Sequence, residues 1–467
     1  VRRWAFGLLL VMLLVWAGAS TAAAAVSLES ADPPSGVVLE STPERVRIVY
    51  PASVESAFLV LEVVSRDGDR VSGPPAIEAG NPAAVAAELD PSADDRLTVG
   101  YGALTEDGNV LGGVYSFSVG ESTIGGARGQ APVQEPPQAV LVLAQLLILM
   151  GPVIVLGALV VRWFALEPAS RSGGVAPPRR SEERDRAAER LRSAAAAGGV
   201  QWWRLTWTGL IVWLIGVPLG ILGYLIALER PLADAGTLLA ETRTGAALIA
   251  SGVTWLAAAL GLLMLSRIGH SRPDPHWALA LVPGLAAAGA LLAASWSGHA
   301  SSGNDQAIGI AADALHNWGA ALWLGGLAAL ALWLPRARSG LPGADRTAVS
   351  AAVVVRFSTI AIVAVTVLVV TGIYRALAEL PSLADLVESD WGVALSIKLI
   401  LFVSLLALGG YNRLVLHPRL ERAALGLSDS ERGATGLLVK TTSVEILLGV
   451  AVMVAAAFLV VLPVPAG

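Results

Sequence analysis

The chain has 467 residues, of which 55% are hydrophobic and 15% charged. A soluble globular protein carries about 25% charged residues, so a mean hydropathy of +0.65 places much of this chain away from water. Cysteine is absent, which excludes disulfides, thiolate metal sites and redox thiols, and a net charge of −5 argues against nucleic acid as a partner.

The N-terminus reads as an export signal. Arg2 and Arg3 form a basic start, Phe6 to Val15 an apolar core, and Ala23-Ala24-Ala25 a small-residue cleavage site. Cleavage after Ala25, giving residues 1–25 as signal peptide and Val26 as the mature start, is the expectation. Residues 26–121 then carry short β-type runs: Val46 to Tyr50, Phe58 to Val64, Leu97 to Ala103 and Val114 to Val119. Val46, Ile48 and Tyr50 alternate with other residues, as do Tyr115, Phe117 and Val119, which is the period of half-buried strands. Asp67-Gly68 and Asp107-Gly108 are turn signals. The pattern predicts an all-β sandwich of immunoglobulin-like size. A Gly/Pro/Gln stretch at 122–137 would link it to the C-terminal two thirds of the chain.

Residues 138–467 are a different material. Eight apolar runs, near 138–161, 205–228, 244–265, 277–296, 314–334, 353–375, 392–414 and 441–462, each reach the length needed to span a bilayer. The loops orient them. With the β domain outside, the inner loops hold Arg171 to Arg204, then Arg267 and Arg272, then Arg336, Arg338 and Arg346, then Arg413, Arg419, Arg422 and Arg432. The outer loops hold acids instead: Glu229, Asp234 and Glu241; Asp305; then Glu379, Asp385, Glu388 and Asp390. That asymmetry follows the positive-inside rule. It predicts a multi-pass protein of the cell membrane, in contact with the lipid bilayer, with its N-terminal domain and C-terminus both extracytoplasmic.

Two stretches resemble the copper-resistance CopC and CopD families, here fused. Ser30-Ala31-Asp32-Pro33-Pro34-Ser35-Gly36 is similar to the opening of CopC-like domains, and Leu97 to Val119, centred on Thr105-Glu106-Asp107-Gly108-Asn109, to their closing strands. Ser297-Gly298-His299-Ala300, Leu315-His316, Leu322 to Leu327, Arg356-Phe357-Ser358, Thr371-Gly372 and Tyr411-Asn412-Arg413 resemble CopD motifs in the same order. The resemblance implies a copper(II) site in the β domain made by an N-terminal histidine and an Asp-Gly-His element. Here Val26 and Asn109 stand at the two histidine positions, and only Asp107 of that degenerate site remains. No histidine or methionine occurs in 26–121. The fold is therefore expected to carry over without the metal site, leaving the β domain a structural or interactive role.

The five histidines are His270, His276, His299, His316 and His417. The first two and the last fall in or beside arginine-rich inner loops, where a solvated or headgroup-facing role is expected. His299 and His316 fall at the outer face. Asp313 reads as the start of the fifth helix, which puts His316 about one turn inside it. Two neutral imidazoles suit copper, with Asp305, Asp313, water or a third group completing the shell. Hydrogen bonding at headgroup level, or axial ligation of haem, are the other roles open to the pair. Lys398 and Glu445 are intramembrane charges and functional candidates by position. Lys398 would snorkel outward, Arg413 would pair with Glu445, and Asn412-Arg413 would fix the inner end of the seventh helix.

The sequence thus describes a non-enzymatic copper-handling membrane protein, accepting copper at the outer face for transport or resistance. Uptake is the direction the resemblance implies, and an extracytoplasmic copper-binding protein is a fitting partner. No G-x-x-x-x-G-K-[ST] loop is present. A binding or sensory scaffold without copper chemistry, and a haem-binding electron carrier, are the alternatives.

Overall fold

The computed structural model describes residues 28–93, 95–120, 139–166, 181–268, 277–301, 305–339, 343–424 and 431–465. The expected signal peptide and linker lie outside these residues, as do His270 and His276.

The N-terminal part is a sandwich of two four-stranded sheets. One sheet has the order β1-β3-β6-β5, from Ser30–Asp32, Arg45–Val49, Asn81–Glu88 and Ala76–Glu78. The other has the order β2-β8-β7-β4, from Val38–Leu39, Val110–Val119, Asp95–Leu104 and Val60–Val64. Alternation does the sorting. Val46 and Ile48 of β3 face Leu97, Val99 and Tyr101 of β7 and Tyr115 and Phe117 of β8 across one dry core. The rings of Tyr50, Tyr101 and Tyr115 meet in sequence, each pair 6.3 Å apart between centroids.

Half of the strands escape the periodicity. β6 reads Asn-Pro-Ala-Ala-Val-Ala-Ala-Glu, and alanine has little intrinsic strand preference. It nevertheless pairs with both β3 and β5, because small side chains fill the narrow space between sheets. Phe58, expected in a strand, instead closes a 3₁₀ turn at Ser56–Phe58. Its ring leaves the sandwich core and packs with Leu104 against Leu141, Tyr224 and Leu238 of the helical part. The sandwich therefore sits on the bundle through an apolar contact.

Among the described residues, eight helices are long and apolar enough to cross a membrane: α1 Ala139–Leu166, α2 Gly199–Ala227, α3 Arg243–Arg267, α4 Leu279–Trp296, α5 Gln306–Ala337, α6 Val349–Glu379, α7 Asp390–Arg419 and α8 Lys440–Val461. α1 is the central post, packed against α2, α4, α5 and α8. Gly157 of α1 and Gly325 of α5 bring the two backbones into direct contact, where a Cβ on either would collide with the other chain segment. Among the described residues, π-helical turns interrupt the rods at Val161–Leu166, Ala321–Gly325 and Asn412–Leu416. Such turns shift side chains off the regular helical face and concentrate at functional positions.

Candidate functional site

The β7–β8 connection lies against the bundle. Its geometry is local. The Asn109 amide N–H donates to the Thr105 hydroxyl at 3.0 Å, Thr105 donates to the Asp107 carboxylate, and Gly108 takes a φ of +85°. A Cβ at Gly108 would lie 3.2 Å from both the Ser297 carbonyl and the Tyr224 hydroxyl, so only glycine fits this turn against the helices. Two further contacts hold the same face. The Glu55 carboxylate accepts from the Arg243 backbone N–H at 2.6 Å, at the first residue of α3. Arg243 in turn pairs with Glu106 at 3.8 Å and stacks over Trp296. Burial raises the pKa of Glu55, and the Arg243 N–H only partly offsets this.

That docking sets Asp107 beside His299, which follows α4 in a 3₁₀ turn. His299 Nδ1 lies 3.0 Å from Asp107 Oδ2, and Nε2 lies 3.2 Å from the Leu459 carbonyl near the end of α8. The Asn109 side-chain amide donates to Asp107 at 3.2 Å and also lies 3.3 Å from His299 Nδ1. Its Oδ1 is buried without a partner. Burial alone would push the His299 pKa down; the hydrogen bond and charge of Asp107 outweigh it and hold the imidazole above its ordinary value. Both ring nitrogens thus have an oxygen within hydrogen-bond distance.

These three side chains line a cavity of about 810 Å³ between sandwich and bundle. Glu29, Asp107, Asp305 and Glu379 put four carboxylates on its wall, against one guanidinium, Arg375. Clefts with one prevailing sign concentrate the opposite ion, so this one draws cations. Among the described residues no three histidine, aspartate or glutamate side chains gather closely enough to hold a metal ion alone. The donor set at the loop is one carboxylate, one imidazole and one amide oxygen.

His316 occupies a different environment. Its Nδ1 lies 3.1 Å from the Thr371 hydroxyl, and a Cβ on Gly372 would come within 3.3 Å of its ring. Thr371-Gly372 therefore serves His316 directly: one residue supplies an oxygen, the next supplies room. The contacts of His299 and His316 do not overlap, and His316 does not line the cavity that His299 lines.

Between the two histidines lies an ion network that corrects one expectation. Asp313 is not the start of a helix; α5 begins at Gln306, and Asp313 lies two turns inside it, buried. Its charge is met by Arg375, which also grips Glu379 through Nε at 3.0 Å and Nη2 at 2.6 Å. Asn317 ties Asp313 to Ser295. An acid in the lipid core is costly when alone, and sequence alone does not show the counter-charge of Asp313 because Arg375 is 62 residues away. Lys398 faces inward too: its charged neighbours are Arg375, Asp313 and Glu379, so it does not need to snorkel. Arg375 and Glu379 are functional candidates that the apolar pattern conceals as a pair. Their i,i+4 spacing at the end of an apolar run is the signal that could have found them.

At the arginine-rich end, the expected Glu445–Arg413 pair is replaced by a different contact. Asn412 donates to the Glu445 carboxylate, and no ion pair of Glu445 occurs among the described residues. His417, expected to be solvated, is 9% exposed and lines a second cavity of about 430 Å³ with Asn412, Arg413 and Glu445. His417 follows directly on a π turn, its N–H bonding the Asn412 carbonyl.

The chain matches the CopC domain over residues 28–120 and the Copper resistance protein D (CopD) family over 351–459. It is 24% identical over 482 residues to Copper transport protein CutJ of Bacillus subtilis, covering 99% of this chain and 78% of that protein. It is 35% identical over 141 residues to Copper resistance protein D of Pseudomonas syringae pv. tomato, covering 29% of this chain and 44% of that one. Two solved structures are similar to the sandwich. CopC from Methylosinus trichosporium OB3b shares 23% identity, 20% of this chain and 90% of its own, with a TM-score of 0.19. PcoC from Escherichia coli, a copper resistance protein, shares 18% identity, 20% of this chain and 98% of its own, with a TM-score of 0.18. The chain therefore joins a CopC domain and a CopD-type membrane domain in a single multi-pass polypeptide.

Proposed function

We propose that this protein handles copper, accepting the ion on the extracytoplasmic side at the seam between its two domains and passing it into the helical bundle, with uptake as the direction. The observation that carries the reading is the 3.0 Å contact between Asp107 and His299. The β domain keeps one carboxylate of its loop and has Asn109 where an imidazole would serve; the bundle brings an imidazole to the same carboxylate. Imidazole and carboxylate suit Cu(II), and the names of the relatives, a copper transport protein and copper resistance proteins, support the choice of ion.

The chain's own residues supply the rest. The acidic wall would draw the cation in, and the Asp107 carboxylate and His299 imidazole would hold it, with the Asn109 amide beside them. Arg375, held between Asp313 and Glu379, stands on the way toward His316 and Lys398. An extracytoplasmic copper-binding protein is a fitting donor, since the cavity opens beside the sandwich.

Metal content and the visible spectrum of the purified full chain, wild type and His299→Ala, test the reading. Loss of one copper equivalent in the variant is expected. Unchanged copper in the variant, or a Soret band with no copper, would overturn it.

A further inference from the structure

We infer that the chain holds a second metal-ion site at the opposite, arginine-rich end of the bundle, formed by Glu445, Asn412 and His417. This inference rests on the copper reading for the identity of the ion, but its geometry is independent of the seam. Glu445 is 4% exposed and has no cationic partner among the described residues. A buried carboxylate without a counter-charge is costly. Its one polar contact among the described residues is the Asn412 amide, which donates to it. That bond orients Asn412 so that its Oδ1, in a residue 5% exposed, is buried without a partner. His417 Nδ1 is likewise buried and unpartnered. All three residues line the cavity of about 430 Å³.

Their convergence is built by the backbone. In the π turn Asn412–Leu416 the His417 N–H bonds the Asn412 carbonyl, and both residues line the cavity that Glu445 of α8 also lines. A carboxylate oxygen, an amide oxygen and an imidazole nitrogen are the same donor types that meet at Asp107, Asn109 and His299. Arg413 acts on His417 rather than on Glu445, and Arg346 lies on the same wall. The two sites, at opposite ends of the bundle, suit a protein that takes copper in on one side and releases it on the other.

The test is copper stoichiometry of the full chain in nanodiscs, by elemental analysis after gel filtration, for wild type, Glu445→Gln, His417→Ala and His299→Ala. Glu445→Gln keeps the shape and removes the buried charge, so it reports on binding even where His417→Ala folds poorly. Two equivalents in the wild type, one in Glu445→Gln and one in His299→Ala support the inference. Wild-type stoichiometry in both Glu445→Gln and His417→Ala, with loss in His299→Ala, overturns the second site and leaves the seam standing. Loss in Glu445→Gln with none in His299→Ala supports the second site and overturns the seam. No copper in the wild type overturns both.

Discussion

Gly108 shows how much one residue without a side chain decides. Its φ of +85° and the 3.2 Å approach of Ser297 and Tyr224 together require glycine. Gly108→Ala is expected to cost about 1–3 kcal/mol, read as a lower thermal midpoint of the full chain. Glu55 makes a second residue-scale case. Its carboxylate caps α3 across the domain boundary at 2.6 Å, and burial raises its pKa above the usual 4.5. A raised acid binds protons more tightly when folded, so its contribution is greatest below pH 4.5 and is lost as pH rises through the raised folded value. Glu55→Gln keeps an acceptor for the Arg243 N–H and removes this dependence. The thermal midpoint of the variant should therefore vary less than that of the wild type above pH 4.5. Glu55→Ala removes the acceptor and should cost about 1 kcal/mol at about pH 7. Equal pH profiles for wild type and Glu55→Gln would contradict the assignment.

At the scale of elements, the short motifs that string along the sequence turn out to be contacts between helices. Thr371-Gly372 on α6 exists for His316 on α5, and Asn412 on α7 exists for Glu445 on α8. Thr371→Val keeps the shape and removes the hydroxyl. It should cost about 1–3 kcal/mol through the unpaired His316 nitrogen and leave copper at the seam unchanged; loss of seam copper would mean that the two histidines act as one site. Elements also differ in how legible they are before folding. Strands β3, β7 and β8 announce themselves by alternation, and the eight spans by length and loop charge. β6 hides behind alanine, and the three π turns leave no trace in apolar periodicity. A lone acid such as Asp313 reads as a helix cap until its arginine is known.

For the whole molecule, the sandwich and the bundle are joined by chemistry that neither half displays alone. Phe58 and Leu104 supply the apolar part of the seam, Arg243 with Glu55 and Glu106 the polar rim, and Asp107 with His299 its centre. In sequence Asp107 reads as the remnant of a lost site and His299 as one of a membrane pair, since 192 positions separate them and no periodicity links them. Only the fold puts them together. The seam site is tested most directly by electron paramagnetic resonance of the full chain carrying one equivalent of Cu(II) in a His417→Ala background, which removes the imidazole of the second site. The expected result is imidazole nitrogen coupling that disappears in His299→Ala, changes in Asp107→Asn and persists in His316→Ala. Coupling that survives in His299→Ala and vanishes in His316→Ala would contradict it.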